Sequence, residues 1–388
     1  MATTCEVCVV GLGVTGSATT WHLARRGVDV VGLDRGDPPH TQGSSHGETR
    51  ITRLAVGEGD AYVPLVRRSH ELWRELESAS GTSLLVSCGG LILGGEAATG
   101  QHGVSGFVEA TIDVARRHGI DHEVLAPDEL RSRWGVLGVT DEVGYYEPSA
   151  GHLRPEACVR ALLGDAERHG ASIRRGERVF EVRPRGDTVE VRTDTDVVHA
   201  RRVVVAAGPW LPALAPSLEP ALSVERQVLC WFDVEDHHEA YAALPIFIWF
   251  HGADEGDLFY GFPAVAGPHG GVKVATEVYG APTTPETVDR TTSPAELADL
   301  HARHVAGRLL GVSPRVVRAE VCLYTVTPDF GFVLGPHPEH PSIIVASPCS
   351  GHGFKHAPAV GECAAALALG EPAPFDLGAF SPERFSGD

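Results

Sequence analysis

Three glycines constrain this chain more than any other feature. In Gly11-Leu-Gly13-Val-Thr-Gly16 they stand where an apolar run gives way to a helical pattern. Cys5–Val10 is apolar apart from Glu6 and predicts a buried parallel strand. Gly13–Arg26 has helical periodicity, with Trp21, Leu23 and Ala24 on its apolar face, and Gly27 ends it. Val28–Leu33 predicts a second apolar strand, closed by Asp34. A strand, a glycine turn, a helix and an acidic residue ending the next strand form a dinucleotide fingerprint. Gly11 allows the tight turn and Gly13 lets the backbone approach a pyrophosphate at the helix N-terminus. Gly16 permits close helix–strand packing, and Asp34 is expected to bond a ribose hydroxyl. The bland alternative is a glycine turn without a ligand. The motif alone does not choose between FAD and NAD.

The pattern beyond this unit predicts two kinds of sheet. Asp37–Gly47 is a turn-rich loop. Tyr62–Ser78, Val108–His118, Pro127–Arg133, Arg154–His169, Pro294–Leu310 and Ala357–Leu369 read as helices. Leu84–Leu93 is strand-like, with Gly89 and Gly90 inside it. Ser172–Arg185 and Val189–Thr193 predict an antiparallel pair, and Arg201–Ala207 and Pro341–Ser347 predict buried strands. Between Ser223 and Tyr279 the segments Gln227–Val234, Ile246–Phe250, Leu258–Phe262 and Gly271–Thr276 predict an antiparallel sheet. The expected class is α/β with an α+β second domain. A discontinuous Rossmann-type domain takes residues 1–85, 150–215 and 320–388. A substrate domain on a mostly antiparallel sheet takes 86–149 and 216–319.

The chain has 388 residues, enough for two ordinary domains. Its formal net charge of −19 argues against nucleic acid or anionic membrane partners. No apolar run reaches the length of a transmembrane helix and no secretory leader is visible, so a cytoplasmic location is expected. Eight cysteines are then expected to be free thiols. Cys5-x-x-Cys8 has the look of a redox or zinc half-site, but positions i and i+3 of a strand face opposite ways. Cys5, Cys8, Cys88, Cys158, Cys230 and Cys363 are expected in the core. No metal-ligand spacing occurs among the 20 histidines, and no metal site is expected.

Several further motifs occur in fixed order. They are Asp37-Pro-Pro-His40, Gly43-Ser-Ser-His-Gly-Glu-Thr-Arg-Ile-Thr-Arg53, Tyr62-Val-Pro-Leu65 and Glu147-Pro-Ser-Ala-Gly151. Tyr260-Gly-Phe-Pro263, Cys322-Leu-Tyr324 and Ser350-Gly-His-Gly-Phe-Lys355 follow. With these, the chain resembles the monomeric sarcosine oxidase and N-methyltryptophan oxidase family over nearly its whole length. The resemblance implies FAD, O2 as electron acceptor and oxidation of an amino acid at a carbon next to nitrogen. It implies that Cys322 carries the flavin as a thioether, a reaction that suits a thiolate of lowered pKa. His46 and Arg50 would lie against the flavin ring. Lys273 would stabilise the charge that develops as O2 is reduced. Arg53 and Lys355 would hold the substrate carboxylate, and Tyr260 and Tyr324 would line the pocket. The implied cofactor contacts also take in Arg35, Ser44, Val179, Ala207, Gly208, Gly351, Gly353 and Phe354 with Gly11, Gly13, Gly16 and Asp34. Each of these residues also has an ordinary reading as a core, loop or surface residue.

The chain departs from the family's pattern around the implied substrate pocket. Glu277 stands where the family commonly has a histidine, Val56 where it has a tyrosine, and Pro348-Cys349 before the Ser-Gly-His-Gly motif. Trp249 adds aromatic bulk to the expected substrate sheet. Glu277 is expected either to hold a cationic group of the substrate or to face solvent. The resulting reading is an oxidase of a secondary, N-methyl or cyclic amino acid that forms an imine and H2O2. The substrate is expected to differ from sarcosine. The partners are that amino acid and O2, with the chain a monomer or small homo-oligomer. Competing readings are a tailoring oxidase or dehydrogenase acting on a modified amino acid in a biosynthetic pathway, and a flavin-binding subunit of a larger complex.

Overall fold

Thr3–Val10 lies near the middle of the first sheet, paired in parallel with Val30–Asp34 on one side and Val197–Val205 on the other. In this computed structural model, residues 3–95, 100–254, 256–348 and 350–385 are described. The register places Val10 level with both Leu33 and Val205, so the carboxyl ends of the three strands align. Open parallel sheets bind their ligands at such ends. Ser172–Arg175 extends the sheet beyond Val30–Asp34, and Ile343–Ser347 joins Val197–Val205 in parallel. Helices Val14–Arg25, Tyr62–Ser80, Pro155–Arg168 and Ala357–Ala368 cover one face. Trp21 Nε1 donates to Asp165 Oδ2 at 2.6 Å and ties the first helix to Pro155–Arg168.

The second sheet has eight strands. In spatial order they are Val312–Val326, Ser223–Val234, Val272–Ala275, Leu258–Gly261, Ile246–Phe250, Gly90–Gly94, Val143–Glu147 and Glu123–Leu125. All neighbours are antiparallel except Ile246–Phe250 with Gly90–Gly94. A small third sheet joins Arg50–Thr52, Gly151–Leu153 and Leu85–Val86. The mixed α/β class and the mostly antiparallel second sheet follow the sequence. Val312–Val326 pairs along its whole length with Ser223–Val234, so it runs straight through the expected boundary at residue 320.

Three expected elements break where the backbone demands it. Ser172–Arg185 divides around Gly176 (φ 75°): Ser172–Arg175 joins the parallel sheet, and Val179–Arg185 pairs with Thr188–Thr193 as expected. Leu84–Leu93 divides at Gly89 (φ 83°) into strands of two different sheets. The helix expected over Pro294–Leu310 is α-helical only to Leu300; a wider turn, His301–Val305, follows, and Gly307 (φ 78°) ends the segment. Cys5, Cys8, Cys158, Cys230 and Cys363 are buried, and Cys88 is partly buried. Among the described residues no helix is long and apolar enough to cross a membrane.

Helices Val14–Arg25 and Ala357–Ala368 touch at Gly361. A Cβ there would stand 2.7 Å from the Ala18 backbone. Gly361→Ala is expected to destabilise the protein by about 1–3 kcal/mol through overpacking. A lower melting temperature checks it, with Gly370→Ala as a comparison in open space, where only the positive φ resists.

Candidate active site

A cavity of about 370 Å³ starts at the glycine turn and runs past Asp34, Val179 and Gly208 to Tyr324 and Gly351. The turn depends on missing side chains. Gly11 has φ 87°, and a Cβ on it would meet Ala206 O at 2.6 Å. A Cβ on Gly16 would stand 1.8 Å from Gly11 O, so this glycine packs behind the turn. The N-cap Gly13 has no side chain to cap helix Val14–Arg25; Ser45 Oγ accepts from the Val14 amide at 3.1 Å, and the helix N-terminus beside it lines the cavity as an anion site. Asp34 Oδ2 accepts from the Leu12 amide at 2.8 Å, and its Oδ1 faces Gly36 N and His40 Nε2. The carboxylate thus fixes the turn as well as lining the cavity. Arg35 is held over the Trp210 ring and against Glu286. This cradle, lined by 10–15, 33–35 and 206–210, fits a dinucleotide such as FAD.

At the inner end of the cavity a group of basic residues surrounds Cys322. The thiol is fully buried, and Arg50 donates to its Sγ at 3.6 Å. Burial raises the pKa of Cys322, but His46, Arg50 and Lys273 outweigh it and leave it below the ordinary thiol value. His46 Nδ1 lies 3.1 Å from Glu320. Burial lowers the His46 pKa, but Cys322 and Glu320 outweigh this and raise it to about 8. The loop carrying His46 and Arg50 is pinned from both sides: Ser44 Oγ donates to Leu323 O, and Lys273 Nζ donates to Gly47 O (2.6 Å), Thr49 O (2.8 Å) and Thr49 Oγ1 (3.2 Å). Two of these partners are carbonyls, and the Thr49 hydroxyl can accept from the ammonium or donate to the neutral amine. Burial, with Arg50 close by, pulls the Lys273 pKa well below that of a free lysine, against the opposing charges of Glu48, Cys322 and Glu156.

A second pocket, about 60 Å³, adjoins the first. Arg50, Tyr324, Gly351 and Phe354 line both. At roughly 10–15 Å³ per water the space suits a small molecule. Tyr260 and Tyr324 face each other there with hydroxyls 3.2 Å apart. Arg53 and Lys355 are both buried in its wall. Lys355 Nζ donates to His352 O at 2.8 Å. Arg53 NH2 lies 2.9 Å from Glu58 Oε2, while Arg53 Nε is a buried donor without a hydrogen-bond partner among the described residues. Burial raises the Glu58 pKa, but Arg53 and His102 hold it well below the carboxylate range.

Of the residues singled out in the sequence, Arg50, Arg53, Tyr260, Tyr324, Glu277, Gly351, Phe354 and Lys355 converge on this small pocket. Trp249 does not. Side chains alternate along a strand, so Ile248 faces the pocket and Trp249 points to the other side. There it stacks on Phe259 and donates to Glu142 Oε1 at 2.9 Å. Glu277 does not face solvent: it is buried and accepts from Gln101 Nε2 and Tyr279 OH. Val56 is core, Pro348 lines the larger cavity, and Cys349 lies outside the described residues. Glu58, Gln101, His102 and Tyr279 carry no motif signal, because short loops bring them in. Ligand-type atoms of Glu58, His102 and His352 lie within 4.8 Å of one another. The Arg53 guanidinium already supplies positive charge to that carboxylate.

Comparison with known proteins agrees with this geometry. The family model "FAD dependent oxidoreductase" matches residues 6–367. Monomeric sarcosine oxidase of Streptomyces avermitilis is 38% identical, with 100% of this chain and 99% of that protein covered. N-methyl-L-tryptophan oxidase of Yersinia pestis is 33% identical, covering 98% and 99%. The open form of NikD, described as an unusual amino acid oxidase essential for nikkomycin biosynthesis, is similar in structure at a TM-score of 0.85, with 26% identity and 98% of each chain covered. The chain belongs to the FAD-dependent oxidoreductase family, within the group of FAD-dependent amino acid oxidases acting on C–N bonds.

Lys355 gives this site a testable pH dependence. Burial brings its pKa down to about 7, so the ammonium is present below pH 7 and lost above it. The Kd of a small monocarboxylate is expected to rise above pH 7, by up to about tenfold per unit. Titration of the flavin absorbance checks this, and Lys355→Met should remove that slope.

Proposed function

We propose that the enzyme oxidises a small secondary, N-methyl or cyclic amino acid at its C–N bond, giving an imine and H2O2. The observation that carries this reading is Arg53: a buried guanidinium whose Nε–H has no hydrogen-bond partner among the described residues, beside Lys355, in a small pocket that shares a wall with the dinucleotide cavity. A carboxylate is the group such a fork and point charge receive. Bound FAD supplies the two-electron oxidation and returns the electrons to O2.

The chain's own residues orient and polarise. Arg53 and Lys355 fix the carboxylate, which sets the substrate's reacting carbon against the shared wall. The carboxylate displaces Glu58 from Arg53. Tyr260 and Tyr324 close the pocket and offer hydroxyls. In this reading Lys273 provides fixed positive charge on the side where O2 is reduced. Cys322 is the flavin's attachment point, activated as a thiolate by Arg50 and His46. The amine reacts as the neutral base, and water hydrolyses an acyclic imine after release.

A panel of N-methyl and cyclic amino acids with peroxide detection tests the reading. At least one small member should release H2O2 in step with substrate loss. Arg53→Ala should lower kcat/KM by about 10- to 100-fold, the worth of a charged hydrogen bond. Flavin bleaching without peroxide under air would exclude O2 as the acceptor. Acid precipitation checks the thioether: the yellow colour should stay with the pellet, and with Cys322→Ser it should pass to the supernatant.

A further inference from the structure

We propose that His102 is a built-in cation filling the subsite where a basic side chain would otherwise be received. The pocket then receives a carboxylate with the amine at the reacting carbon and disfavours ligands with a further ammonium elsewhere. The inference rests on the proposed carboxylate site and narrows its ligand class. It replaces the expectation that Glu277 receives a cationic group of the substrate.

The geometry fixes the charge of His102. Its Nδ1 lies 3.2 Å from Glu58 Oε1 and its Nε2 3.0 Å from Glu277 Oε2. A neutral imidazole has one N–H and one lone pair, but here both nitrogens face carboxylate oxygens. The Nε2 contact is an ion pair by distance and not an aligned hydrogen bond, and a carboxylate on each side of the ring favours the imidazolium by charge. Burial lowers the His102 pKa, and Glu277 and Glu58 more than reverse this and raise it to about 9. His352 adds no charge. Its Nε2 lies 3.0 Å from Phe330 O, and burial brings its pKa down to about 3.

The backbone is shaped to deliver this group. Gln101 and Val104 bond to each other at both ends of a two-residue turn, N to O at 3.0 and 2.9 Å. His102 (φ 52°) and Gly103 (φ 77°) both take the left-handed conformation. Such turns favour glycine and asparagine, and a histidine there is held in place by what its side chain meets. Gln101, at the start of the turn, donates to Glu277 Oε2 at 2.9 Å. The pair stands directly on the wall between the two cavities. A Cβ on Gly351 would meet Glu277 Oε1 at 3.1 Å and His102 Nε2 at 3.2 Å.

The charges around the pocket then set its preference. Arg50, Arg53, Lys355 and His102 are four basic groups against two carboxylates, Glu58 and Glu277. A ligand carboxylate reduces this excess, and a further ammonium adds to it. A ligand with a further ammonium would leave an unpaired buried charge, and the carboxylate that could accept it is already paired with His102.

Butyrate and 4-aminobutyrate differ by one terminal ammonium and need no turnover. Their Kd values on the holoenzyme, read from flavin absorbance, should favour butyrate by at least about 100-fold. His102→Gln should cut that ratio at least tenfold by freeing Glu277. Adding Glu277→Gln should restore it, and His102→Lys should keep it. Equal wild-type affinities would overturn the proposal without any variant. So would an unchanged ratio in a folded, flavin-loaded His102→Gln protein, or failure of butyrate to bind at all. An intact ratio with no oxidation in the amino acid panel would remove the proposed reaction and leave this inference standing.

Discussion

Helix Val14–Arg25 can point its first amides into the larger cavity only because the chain turns within one van der Waals contact of itself. The carbonyl of Gly11 occupies the space that a side chain on Gly16 would need, and Asp34 accepts from the Leu12 amide from the neighbouring strand. That contact brings the helix down onto the parallel strands. The N-cap is a glycine, and Ser45 Oγ, from the following loop, reaches the first amide. Everything that faces a dinucleotide is arranged around this compression, from Val179 on one side to Gly208 on the other.

The second sheet brings the charges. Val312–Val326 carries Cys322 and Tyr324, and Val272–Ala275 carries Lys273. Arg50, the first residue of the small strand Arg50–Thr52, reaches both Cys322 and the small pocket. Positive charge is therefore concentrated at one end of the cavity on a protein whose net charge is −19. Local burial and pairing, not overall charge, decide what this site attracts.

The sequence made the cofactor side legible and left the substrate side partly hidden. The glycine turn, Asp34 and the order of the later motifs each depend on residue type at short spacing, which a chain displays openly. Arg53, Tyr260, Tyr324 and Lys355 belong to such motifs, and they converge. Trp249 was misplaced because a continuous apolar run conceals which residues of a strand share a face. Glu58 and His102 were invisible because their meaning lies in each other: an isolated histidine in a turn says nothing until two carboxylates stand on either side of it. Strand breaks at Gly89 and Gly176 show the same limit, since periodicity does not say which sheet a strand will join.

The loop from Gly43 to Arg53 has little regular structure, yet it is fastened to nearly everything around it. Ser44 bonds to Leu323, Gly47 and Thr49 to Lys273, Gly47 to Glu156, and Arg50 to Cys322. Surface loops ordinarily absorb insertions and deletions at small cost. This one does not have that freedom. A change of one residue in its length would shift at least one of these anchors out of phase with the sheets that meet it. The segment is therefore expected to keep a constant length where neighbouring connections drift.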